Sequence, residues 1–193
     1  PGSGMIKLPR GFHWEIPENA DLIAETHFRP RGKQEKLLCS VAIQTDATED
    51  SRSVQEIVSM VRRVYIEAED DLYTVGETIE VPVAVDLIGI TPRAGAECSS
   101  MKIECGETTL FSISHWDPHY GETVFLKEPF RLESGDKLVS TWTYNNSESN
   151  PRNPFVPAQL VDLARKTGIA NFILHVAPVN SNDSEALKSW NLS

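Results

Sequence analysis

The sequence predicts a mainly β protein, an antiparallel β-sandwich of the jelly-roll kind with one or two short helices. Three observations lead there. Apolar and polar residues alternate in several short runs, and clusters rich in Gly, Pro, Asn and Ser separate those runs. The length of 193 residues, 40% of them hydrophobic, suits one well-buried domain and is short for two. Many short strands joined by regular turns pack as two facing sheets.

The elements follow in chain order. Residues 1–5, PGSGM, read as an expression leftover outside the native fold. Residues 6–50 carry two strand patterns, DLIAETHF (21–28) and LLCSVAIQ (37–44), with RPRGK as the turn between them. In the second, Leu37, Cys39, Val41 and Ile43 share one face. The domain proper is expected over residues 51–178. It opens with SVQEIVSMVRRV (53–64), where Val54, Ile57, Val58, Val61 and Val64 are spaced for one face of a helix, although the end also reads as strand. TIEVPVAVDL (78–87) alternates cleanly, and Pro82, which cannot donate to a ladder, predicts an edge strand there.

Further strands are expected at TTLFSIS (108–114), ETVFL (122–126), KLVSTWTY (137–144) and NFILHVA (171–177). The turns between them are TPRAG (91–95), ECGE (104–107), LESGD (132–136) and NNSESNPRNP (145–154). PAQLVDLARKTG (157–168) predicts a helix, with Pro157 at its start and Gly168 as its C-cap. Residues 179–193 read as a polar tail.

Charge and cysteine content exclude some functions. The net charge of −10 opposes nucleic-acid binding, which draws its affinity from a basic surface. The longest apolar run, residues 81–90, is broken by Pro82 and Asp86, so no bilayer-crossing segment is expected. Cys39, Cys98 and Cys105 include no CxxC pair, which argues against a structural zinc site. A Cys98–Cys105 bridge across a hairpin in CSSMKIEC is left open by the spacing.

The chemistry-bearing stretch is HWDPHY, residues 115–120. His115 and His119 flank an Asp117–Pro118 bend, and Glu122 follows. Two imidazoles and a carboxylate near one bend make a candidate metal site, although the His-x₃-His-x₂-Glu spacing departs from the His-x-His pattern of cupins. The plainer alternative is a pair of half-exposed turn histidines beside Trp116 and Tyr120, and it weighs more. No GxSxG, glycine-rich phosphate loop or HExxH is present, so no catalytic residue is assigned. His13 and His175 stand isolated, His175 on the Ile169, Asn171 and Ile173 side of its strand. The tripeptides at Asn145, Asn182 and Asn191 fit the N-glycosylation pattern, which is short enough to arise by chance.

Two long stretches resemble copper type II, ascorbate-dependent monooxygenases. HWDPHYGETVFLKEPFRLESGDKLVSTWTYNNSESNPRNP is similar to their C-terminal domain, with the strongest likeness to bacterial members. PRGFHWEIPENADLIAETHFRPRGK resembles the segment joining their two catalytic domains, so residues 6–50 would derive from the interdomain end of an N-terminal domain. The family, which includes dopamine β-hydroxylase and peptidyl-glycine hydroxylating monooxygenase, holds two copper ions on two neighbouring jelly-roll domains. The resemblance implies a secreted or periplasmic protein with an upstream domain or partner protein.

The resemblance also locates the copper ligands. The third histidine of the first site matches His27. At the oxygen-side site, the His-x-His positions fall on Arg93 and Gly95, and the methionine position at or near Ile169. The sequence has no histidine between His27 and His115 and no methionine after Met101. Neither an arginine nor a glycine offers a side-chain lone pair to a cation. The resemblance therefore implies a non-catalytic domain serving binding or assembly, without a cofactor, in a longer exported protein. Arg93 is expected to fill the vacated site, buried and paired. The positions of a family disulfide match Trp142 and Ala170, whose packing is expected to replace the bridge.

Two alternatives remain open. One is an active copper monooxygenase completed by ligands from another domain or chain, with His27 contributing. The other is a metal-dependent, cupin-like enzyme using His115, His119 and Glu122.

Overall fold

The computed structural model describes residues 6–23, 32–34, 36, 38, 40–45, 50–164 and 170–190. The strands are β1 (Phe12–Trp14), β2 (Arg52–Met60), β3 (Arg63–Ile66), β4 (Tyr73–Glu80), β5 (Val85–Ala94) and β6 (Cys98–Cys105). They continue with β7 (Thr108–Ile113), β8 (Val124–Leu132), β9 (Lys137–Tyr144), β10 (Val161–Ala164) and β11 (Ala170–Pro178), and a short helix α1 (Ser184–Trp190) follows.

One sheet runs β1-β2-β11-β5-β8 and the other β4-β9-β6-β7. The pairs β2–β11, β4–β9, β5–β8 and β6–β7 are all antiparallel. That is the pattern of one long hairpin rolled over itself, the jelly roll that the sequence predicts. β1 adds a parallel edge to β2, and β3 pairs separately with β10.

The core lies between the two sheets. Trp142 of β9 stacks on Phe172 of β11, with centroids 5.0 Å apart, and Phe111 meets Phe172 edge-on at 5.8 Å. Aromatic pairs of this geometry contribute about 0.5–1.5 kcal/mol beyond area burial. Ala170, two residues before Phe172 and so on the same face, is buried in the core cluster that holds Trp142. A hydrogen bond of 2.9 Å between the Ser59 and Ser140 hydroxyls crosses from sheet to sheet inside the core.

The loop 145–154 folds inward on its asparagines. Asn146 is fully buried; its side-chain amide donates to the carbonyls of Glu67 (2.9 Å) and Gln159 (2.8 Å). Its oxygen accepts from Asn153 Nδ2 at 3.1 Å. A buried amide so satisfied ties the loop to the chain after β3.

Several expectations are corrected. Residues 53–64 form β2 and the start of β3 instead of a helix, because β-branched side chains buried on both faces suit strands that neighbours can pair. Of the predicted helix over 157–168, residues 161–164 form β10, and 165–169 lie outside the described residues. TIEVPVAVDL splits at Pro82 into β4, which is the edge strand of the four-stranded sheet, and β5, which lies inside the other sheet, so the edge is there but Pro82 itself marks the corner between the sheets. TPRAG continues β5 as far as Ala94; the turn begins only at Gly95, whose carbonyl accepts from the Cys98 amide.

The end of the polar tail is α1, anchored by buried Leu187. Among the described residues of 6–50 only Phe12–Trp14 is a strand; Leu38, Val41 and Ile43 are exposed and pair with no sheet. Alternation alone supplies no ladder partner. Cys98 and Cys105 are free thiols at opposite ends of β6, too far apart along one strand to bridge.

Candidate functional site

The positions that the resemblance assigns to copper ligands lie at the end of β5. Arg93 is exposed on the outer face of the five-stranded sheet, cross-strand from Asn171, and makes no ion pair among the described residues. This corrects the expectation of a buried, paired guanidinium. Ala94 takes the inward-facing place beside it, and the long arginine stem carries its charge to water, where solvation is free. Gly95 starts the next turn; a Cβ there would come within 2.8 Å of Glu97 Oε2. A small notch lies alongside, lined by Pro92, Arg93, Ala94, Trp116, Pro118 and Gly121.

Trp116 lines that notch from the turn side of the chain. It is buried, its amide donates to Ser99 O (3.0 Å) and its indole Nε1 to Ala94 O (3.3 Å). His115, Pro118 and His119 around it face water. Asp117 caps a 3₁₀ turn over Pro118–Tyr120, accepting from the His119 amide at 3.0 Å, with His119 Nδ1 at 2.9 Å from the same oxygen. The His119 backbone bond, then its ring, hold the Asp117 carboxyl below the usual range. His115 Nδ1 lies 3.1 Å from Ser114 Oγ, and the His119 side chain is 90% exposed.

The cupin-like set is therefore not assembled: His115, His119 and Glu122 do not converge, and no group of three His, Cys, Asp or Glu residues among the described ones could hold a metal ion. His27 and Ile169 lie outside the described residues.

A different cluster forms around His175, which sequence reasoning left isolated. On the outer face of β11 its ring is 5% exposed, flanked by Trp14 of β1 (6.5 Å between centroids) and Phe125 of β8 (6.2 Å). Nε2 is hydrogen-bonded to Thr91 Oγ1 at 2.8 Å, and Thr91 to Thr123 at 2.7 Å. Glu56 Oε1 lies 3.7 Å from Nδ1, which has no hydrogen-bond partner. Burial lowers the proton affinity of the ring, and the Glu56 carboxylate opposes this more weakly.

Gly89 makes room for the cluster, since a Cβ there would meet the Phe125 ring at 2.8 Å. The four polar members come from β2, β5, β11 and the loop before β8. No local pattern joins them; the one trace in the sequence is a histidine between apolar neighbours, Leu174 and Val176, in a largely apolar strand.

The order carboxylate, imidazole, hydroxyl is that of a nucleophile relay. Here the geometry does not serve one. Glu56 is beyond hydrogen-bond reach, Thr91 is buried in mid-strand, and the backbone around it is paired in the ladders. The cluster can hold and release a proton, and it packs apolar surface around the group that does so.

Neither a family model nor a curated protein matches this chain.

Proposed function

We propose that this chain is a non-catalytic, copper-monooxygenase-like β-sandwich domain of a longer exported protein, serving binding or assembly. One observation carries the reading. At the two positions where the resemblance expects imidazoles, the chain has Arg93, whose charge stands in solvent, and Gly95, which has no side chain. Neither can donate to copper, and a fixed positive charge repels a cation. The jelly-roll strand order agrees with the resemblance, as many unrelated proteins also would.

Two measurements test the reading. The purified chain supplied with copper and ascorbate should consume no oxygen with peptide or phenethylamine substrates; turnover that survives chelation controls overturns the non-catalytic assignment. The double variant Arg93→His with Gly95→His should bind copper more tightly than the parent in calorimetric titration. If it binds no tighter, the assignment of these positions to a lost copper site fails.

A further inference from the structure

β1 is the least secured strand of the sandwich. It has three residues and pairs on one side only, with β2. Edge strands this short are drawn from the low-stability end of a fold. Its first half is held by Arg52 N donating to Gly11 O at 3.0 Å, by the Arg52 guanidinium 5.1 Å from the Phe12 ring centroid, and by Ser51 Oγ at 2.8 Å from His13 Nδ1. Its last residue, Trp14, rests edge-on against His175.

We infer that His175 is an acid-sensitive latch for β1: the neutral ring is part of the packing beneath Trp14, and protonation lifts Trp14 and frees β1 from β2. A buried imidazolium needs a partner or water at both nitrogens. At Nε2 the need is met, because the Thr91 and Thr123 hydroxyls can reverse their direction of donation. At Nδ1 it is not met.

The groups around the ring decide the direction of the effect. From β2, Glu56 favours the charged form, but its side chain is 53% exposed and screened by solvent. From β5 come Thr91 and, further along the same face, the cation Arg93. From β8 and the loop before it come Phe125 and Thr123, both uncharged. From β1 comes uncharged Trp14, while His13 alternates to the opposite face. At the far end of the face, Arg52 and Arg131 bracket Asp86; burial pushes this carboxyl up, but their hydrogen bonds outweigh it and hold it low. It stays charged while a histidine titrates. Release of β1 would expose the second edge of β2, whose unpaired backbone groups are a template for an incoming strand.

Hydrogen exchange read by mass spectrometry, corrected for intrinsic rates, tests this on the full chain. Protection of residues 12–14 should fall by about tenfold per pH unit below a midpoint under the ordinary histidine range, as uptake of one proton requires. Protection in β9 should stay constant. His175→Gln, which keeps a donor toward Thr91, should leave β1 docked throughout, and His13→Gln should keep the transition. Glu56→Gln, at an exposed side chain that the fold tolerates, should move the midpoint to lower pH, and it carries the test if His175→Gln does not fold. Constant protection in the parent, a transition that survives His175→Gln or disappears in His13→Gln, or an unmoved midpoint in Glu56→Gln overturns the proposal.

Discussion

The turn at residues 115–120 and the strand β11 both carry histidine, and they use it in opposite ways. In the turn, two histidines and two acids crowd into eight residues, yet the imidazoles face solvent and their bonds are local, to Ser114 and Asp117. In β11 one histidine stands among apolar neighbours and gathers Thr91, Thr123, Glu56, Trp14 and Phe125 from positions 50 to 161 residues away. Local density of ligand-type side chains thus says little about convergence. A central strand has neighbours on both sides, whereas a tight turn has mainly itself.

The sharpest break of this comparison is at Trp116, the buried indole of the turn. Trp116→Ala should cost about 3–5 kcal/mol in chemical denaturation, the range for a buried aromatic removed from a core. A loss below about 1 kcal/mol would mean that the turn is not anchored through its indole, since ordinary surface changes stay within about 0.5 kcal/mol.

The β11 cluster should respond next. Thr91→Val keeps the shape and removes the hydroxyl between His175 and Thr123, leaving a buried ring nitrogen unpartnered. The expected loss is about 1–3 kcal/mol, measured by the same denaturation. Equal stability would show that the hydroxyl chain contributes nothing.

The pH response should distinguish the two regions more finely. Burial lowers the proton affinity of His175 in the folded state from its ordinary 6.5. The unfolded chain then binds more protons through that window, so stability falls as pH drops below about 6.5 and levels off once the folded state is also protonated. Denaturation midpoints across this range should show the fall in the parent and a smaller one in His175→Gln. An identical fall in both would assign it to other groups.

The smallest effect is expected at the exposed histidines. His115→Ala with His119→Ala should change stability by no more than about 0.5 kcal/mol, as surface substitutions do. Zinc and copper affinity should be the same in parent and double variant. Tight binding of one ion by the parent alone would restore the turn as a metal site.

Much of the sandwich was legible because its signals are local. KLVSTWTY coincides with β9 and NFILHVA lies within β11, where alternation, β-branched residues and flanking turns agree. Gly106 and Gly135 sit in the turns that ECGE and LESGD predict, both at positive φ, where glycine is favoured. The helix over 53–64 misled because both faces of β2 carry apolar residues; Ile57 faces the opposite sheet while Val54 and Val58 face outward. Which period wins there depends on whether other strands lie alongside, and that is a long-range fact.

By itself, then, the sequence determined the fold class, the strands β7, β9 and β11, the turns at Gly106 and Gly135, and the absence of imidazoles at positions 93 and 95. Only the tertiary structure decided that Arg93 faces water, that HWDPHY leaves its histidines apart, and that His175 has a hydroxyl chain on one nitrogen and none on the other. The reason is physical. Backbone preferences and side-chain alternation act over a few residues, whereas burial and hydrogen bonding depend on what the other strands bring alongside.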